Sequence, residues 1–174
     1  MTAGDCLDRI LERMVPTHNI QRGYTADGRN YPAYARYEAS AEKYVLTRKA
    51  NLWKVSESEH VLFMTVPASA DPDAFFNEGC RLISGFMEPA FSRGHAKYPP
   101  KDHMRTFLSV VLISEHPLKE DLIRKIRRYR YEKSYLFSLR GYSQGRMIAV
   151  DLPNNKVYTS PAAKDVAGFY RQVL

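Results

Sequence analysis

The run Thr106-Phe107-Leu108-Ser109-Val110-Val111-Leu112-Ile113 constrains this chain more than any other feature. It is nearly all apolar and rich in Val, Leu and Ile. A strand of that kind is stable when it is buried on both faces, so the run predicts a central strand of a sheet. It is strand-length, far short of the roughly 20 apolar residues a helix needs to cross a bilayer. No other apolar stretch is longer.

Hairpin signals lie on both sides of it. Asn19–Tyr24 and Tyr31–Ala39 flank Asp27-Gly28, a pair suited to the positive φ of a tight turn. Tyr44–Val55 and His60–Val66 read as two further strands around a polar turn, Ser56-Glu57-Ser58-Glu59. Tyr135–Gly141 and Arg146–Leu152 read as an antiparallel pair turning at 142–145, with Lys156–Thr159 as a further strand.

Helices are marked by their starts. Thr2 with Asp5 resembles a capping box ahead of Leu7, Ile10, Leu11 and Met14 on one face. Asp71-Pro72, His116-Pro117 and Ser160-Pro161 open three more, and Glu88-Pro89 ends or kinks the second. The expected fold is a single α+β domain over residues 1–174. Its largely antiparallel sheet comes from two hairpin-rich blocks, with about four helices packed mostly on one face.

The chain carries 26 Lys and Arg against 19 Asp and Glu, a formal charge of +7. That balance favours an anionic partner: nucleic acid or an anionic small molecule. The polar N-terminus predicts no secretory leader. Cys6 and Cys80 form neither a metal pattern nor a disulfide framework, so a reduced, cytoplasmic setting is the simplest reading. No membrane contact is expected.

Two regions could hold a ligand. The stretch 119–133 places Arg124, Arg127 and Arg128 on a helix, with Tyr131 available for stacking; the alternative is a solvated helix face. The polar segment 92–105 adds Arg93, Lys97, Lys101 and Arg105. On the sheet, Arg36, Glu38, Arg48, Arg140 and Asp151 lie where one polar face could converge into a cleft. The alternative there is a water-facing sheet side with cross-strand ion pairs.

Known catalytic motifs are absent. The opening order, helix, strands, helix, strand, looks like the restriction-endonuclease-like fold. That chemistry needs a Glu-x-Lys, which the chain lacks. The five histidines have no ligand spacing, and no phosphate loop or nucleophile elbow occurs. No metal or cofactor is expected.

The stretches Ala33-Tyr34-Ala35-Arg36-Tyr37, Glu42–Leu46 through Leu52-Trp53, Lys133–Tyr135 with Phe137–Gly141, and Val150–Leu152 with Lys156–Thr159 resemble a group of uncharacterised bacterial proteins. The resemblance covers most of the chain. It implies a single cytoplasmic domain and carries no activity. The leading reading is therefore a binding domain for nucleic acid or another anionic ligand. The alternatives are a small enzyme with its pocket on the polar sheet face, and a homodimeric structural or interaction protein.

Overall fold

The computed structural model describes residues 1–44 and 51–174, and side chains outside 40–55. Helix α1 (Ala3–Met14) begins with the expected capping box: the Asp5 amide donates to the Thr2 hydroxyl and the Thr2 amide to the Asp5 carboxylate. Strands β1 (Asn19–Ala26) and β2 (Arg29–Tyr44) turn on Asp27-Gly28, where both residues have positive φ. Strand β3 (Asn51–Val66) pairs antiparallel with β2.

The polar segment Ser56–Glu59 is not a turn but the middle of β3. Its alternation explains why. Glu57 and Glu59 face one side of the sheet, where they meet Arg105 and Arg146. Ser58 faces the other side, where it meets Thr106. Each polar side chain has a partner, so the strand continues through them.

Helix α2 (Pro72–Leu82) is capped by Asp71 and continues past Pro89 as a π-helical segment, Ile83–Ser92. Proline would break an α-helix here, and the wider π turn accommodates its missing donor. Strand β4 (His103–Ser114) contains the apolar run and pairs parallel with β3. Helix α3 (Glu120–Arg128) leads to β5 (Glu132–Ser134) and β6 (Tyr142–Asp151), and β6 lies parallel to β4. Strand β7 (Lys156–Thr159), a 3-10 turn (Pro161–Ala163) and α4 (Ala167–Arg171) complete the chain.

The fold is α+β, with four α-helices and, among the described residues, a seven-stranded, mostly antiparallel open sheet. Strand order is β1-β2-β3-β4-β6-β5, with β7 also on β6. Strand β4 sits centrally, as its apolar run requires. The helices divide between the two faces instead of gathering mostly on one, because β4 is apolar on both sides. Val111 and Ile113 pack with α1 and Tyr170 of α4. Leu108, Val110 and Leu112 pack with α2, the π segment and α3. Gly79 of α2 lets that helix approach closely: a Cβ there would stand 3.0 Å from Val110 and Met147 side chains.

Residues 135–141 depart from the expected strand. Leu136, Phe137 and Ser138 all have left-handed φ, at 50°, 52° and 68°. The Tyr135 hydroxyl, bound to buried Glu88 at 2.8 Å, pins the start of this turn. Gly141 closes it at φ 68°, with the Met104 carbonyl oxygen 2.0 Å from where a Cβ would stand. The hairpin partner of β6 is therefore the short β5, and the turn lies before Tyr142.

Candidate functional site

The N-terminal halves of the parallel strands carry the polar side chains, because the apolar core occupies their C-terminal halves. On the face covered by α1 and α4, Glu57 and Glu59 of β3, Arg105 and Phe107 of β4, and Arg146 of β6 come together. They floor a cleft of about 730 Å³ whose rim includes Tyr37, Arg130, Tyr131, Lys164 and Asp165.

Arg146 organises the floor. Its side chain is only 5% exposed, and it donates to Glu59 at 3.2 Å and Asp165 at 2.9 Å. Its guanidinium carbon lies 3.5 Å from the Phe107 ring centroid, with that of Arg105 at 4.6 Å. Ser109 donates a second bond to Glu59 at 2.8 Å, and Arg105 pairs with Glu57 at 2.6 Å. The Nε atoms of Arg105 and Arg146 are buried and have no hydrogen-bond partner among the described residues. Burial pushes the Tyr131 hydroxyl up to about 12, helped by the Glu88 charge, so it stays a neutral donor on the rim.

Arg130, Pro161 and Lys164 are shared with a second space of about 580 Å³, which also takes in Arg127, Tyr158, Thr159 and Arg171. Its lining holds four cationic side chains and no carboxylate. Among the described residues, none of these four cations makes an ion pair. The Arg127 guanidinium stands 5.5 Å from the Tyr158 ring centroid. The ion-paired cleft thus opens into a wholly basic groove.

The residues singled out from sequence are scattered. Arg127 lines the groove and Tyr131 the cleft. Arg124 pairs with Asp121 and lines neither space, and Arg128 lines neither. From segment 92–105, only Arg105 reaches the cleft. Arg93 is held by Glu88 at 2.6 Å and Lys97 lies over Tyr98. Arg36 and Glu38 pair with each other and line a separate cleft on the opposite sheet face. Arg140 lies in the turn before β6 and donates to the Pro99 carbonyl at 2.8 Å. Arg48 lies outside the described residues.

Asp151 is buried at the far end of β6, nine residues on from Tyr142, about 30 Å along a strand. It accepts from the amides of Leu118 and Asn154 and from the Asn154 side chain. These bonds make it a cap for two loops.

Sequence reasoning missed Glu59, Arg146, Lys164 and Arg171. Reading 56–59 as a turn hid Glu59. Arg146 did have a signal: a charge at an inward position of an apolar strand. Among the described residues, no group of three His, Cys, Asp or Glu side chains is placed to hold a metal. No described helix is long and apolar enough to cross a membrane.

No curated protein and no solved structure matches the chain. One family model does, over residues 3–172, and the chain belongs to that family, the domain of unknown function DUF8052.

Proposed function

We propose that this domain binds a phosphate-bearing ligand in the basic groove, with a nucleic-acid strand as the form the groove favours. One observation carries the reading: Arg127, Arg130, Lys164 and Arg171 line one space with no carboxylate among them. Like charges gathered without partners repel, and an anion relieves that repulsion. Arginine forks suit phosphate oxygens, and the Tyr158 and Tyr131 rings offer surfaces for a base to stack on. The adjoining cleft, with its buried Arg146, extends the surface along which a strand could run. A cytoplasmic setting belongs to this reading, supported by two free cysteines.

The test is fluorescence anisotropy of a labelled single-stranded oligonucleotide across a salt series, with pyrophosphate as competitor. Four phosphate contacts give a log–log salt slope of about −3. Strong competition by pyrophosphate would point to a small ligand instead of a strand. If neither binds at low salt, the proposal fails.

A further inference from the structure

The sheet face covered by α2 and the π-helical segment carries a second concentration of polar groups. A cleft of about 410 Å³ is lined by Ser58, Ser92, His103 and Thr106, with Arg36 and Glu38 at one side and Phe91 and Pro100 as apolar walls. Ser92, His103 and Thr106 are buried. Behind Ser92 runs a chain of close contacts: Ser143 Oγ at 2.7 Å, then Tyr135 at 2.8 Å, then Glu88 at 2.8 Å. Buried polar networks are costly unless fully satisfied, and this one ends at the cleft.

The second network has a direction. His103 Nδ1 lies 2.7 Å from the Arg140 carbonyl oxygen, which can only accept, so Nδ1 carries the proton. In the neutral ring Nε2 then holds a lone pair, and the Thr106 hydroxyl at 2.8 Å donates to it. With its proton so used, Thr106 Oγ1 accepts from Ser58 Oγ at 3.2 Å. The chain runs Ser58 to Thr106 to His103 to the Arg140 carbonyl. It withdraws the proton of the one half-exposed hydroxyl, Ser58, toward a buried base. A nucleophile, a base and a group that orients the base are the parts of hydroxyl activation, here with one hydroxyl interposed.

We propose that Ser58 is the nucleophile of a second site, one that cleaves small carboxylic esters. Ser58 Oγ bonds to the ester carbonyl carbon as its proton passes to Thr106 Oγ1 and the Thr106 proton passes to His103 Nε2. The carbonyl electron pair moves onto oxygen, facing the Arg36 guanidinium. Collapse re-forms the carbonyl and breaks the bond to the alcohol oxygen, which takes the proton returned along the same chain. Water then attacks the acyl-Ser58 ester in the same way, releasing the carboxylic acid and restoring Ser58. Phe91 and Pro100 favour an apolar acyl group. Ser58 is the catalytic residue; Thr106 and His103 act through it.

The experiment treats the full chain with a fluorophosphonate reagent and maps the adduct by mass spectrometry. The expected result is an adduct on Ser58, absent in Ser58→Ala. Labelling slows about a hundredfold in His103→Gln and Thr106→Val. Thr106→Ser, which keeps the hydroxyl, labels within tenfold of wild type and separates proton transfer from packing even if Thr106→Val does not fold. No adduct, an adduct elsewhere, or a rate on Ser58 that is unmoved by losing His103 would overturn the proposal. The cleft and the groove share no lining residue, so Arg127→Ala leaves labelling intact and the two proposals fail independently.

Discussion

Arg146 and Phe107 face each other on neighbouring parallel strands, the guanidinium carbon 3.5 Å from the ring centroid. The ring covers one side of a charge that is otherwise enclosed by Glu59 and Asp165. A buried cation needs all three, since stripping its water is repaid only by close partners. Tyr170, fully buried beside this cluster, has its hydroxyl pushed far up by burial and the Glu59 charge, and stays neutral.

Removing one partner is therefore expensive. Arg146→Met leaves Glu59 without its cation and held only by the Ser109 hydroxyl, and is expected to cost about 3–5 kcal/mol in urea unfolding. Adding Glu59→Leu removes the orphan and is expected to recover most of that loss. A single-mutant cost below about 1 kcal/mol would show that Arg146 is not acting as a buried ion.

The groove separates cations that look alike in sequence. Arg127→Ala and Lys164→Ala are each expected to weaken anion binding and to reduce the salt slope by about 0.7. Arg124→Ala and Arg128→Ala, which remove charge outside the groove, are expected to leave the slope unchanged. Equal effects from all four in the same titrations would mean that binding follows net charge alone.

His60 makes stability depend on pH. It is buried on β3, stacked on Phe91 with ring centroids 4.5 Å apart and within 2.6 Å of the Tyr34 hydroxyl. Burial, and then the Arg36 charge, lower its pKa from 6.5 to about 3. The unfolded chain thus binds a proton that the folded chain refuses. The stability is present above pH 6.5 and is lost as pH falls toward 3, by a few kcal/mol in order of magnitude. Denaturant titrations from pH 7 to 4 should show a shallower decline in His60→Gln than in wild type, and parallel curves would refute the assignment.

The left-handed turn predicts substitutions of opposite sign. Phe137 is fully exposed at φ 52°, so Phe137→Gly removes backbone strain and no packing, and is expected to stabilise by about 1 kcal/mol. Gly141→Ala forces a Cβ against the Met104 carbonyl and is expected to destabilise by more than about 2 kcal/mol. Thermal melts of the two variants decide both.

Much of the fold was legible because its signals are local. The apolar run at 106–113 marked the central strand, Asp27-Gly28 marked a hairpin, and Thr2 and Asp71 marked helix starts. Each depends on residues within a few positions of one another. The reading failed where a distant partner overrides local preference. Ser56–Glu59 is turn-like until Arg105, Arg146 and Thr106 are supplied. Residues 135–141 alternate like a strand until Tyr135 is anchored to Glu88 and Gly141 meets Met104.

By itself, then, the sequence determined an α+β chain with a buried central strand and an excess of positive charge. Only the tertiary structure decided which charges are already satisfied and which lie open. Arg146 is spent on Glu59, 87 residues away, while Arg127, Arg130, Lys164 and Arg171 line one space without a carboxylate. It also decided that Ser58, Thr106 and His103 form one directed chain. The physical reason is range. Backbone preferences act over a few residues, but the state of a charge or a hydroxyl depends on whatever the fold brings within about 3 Å of it.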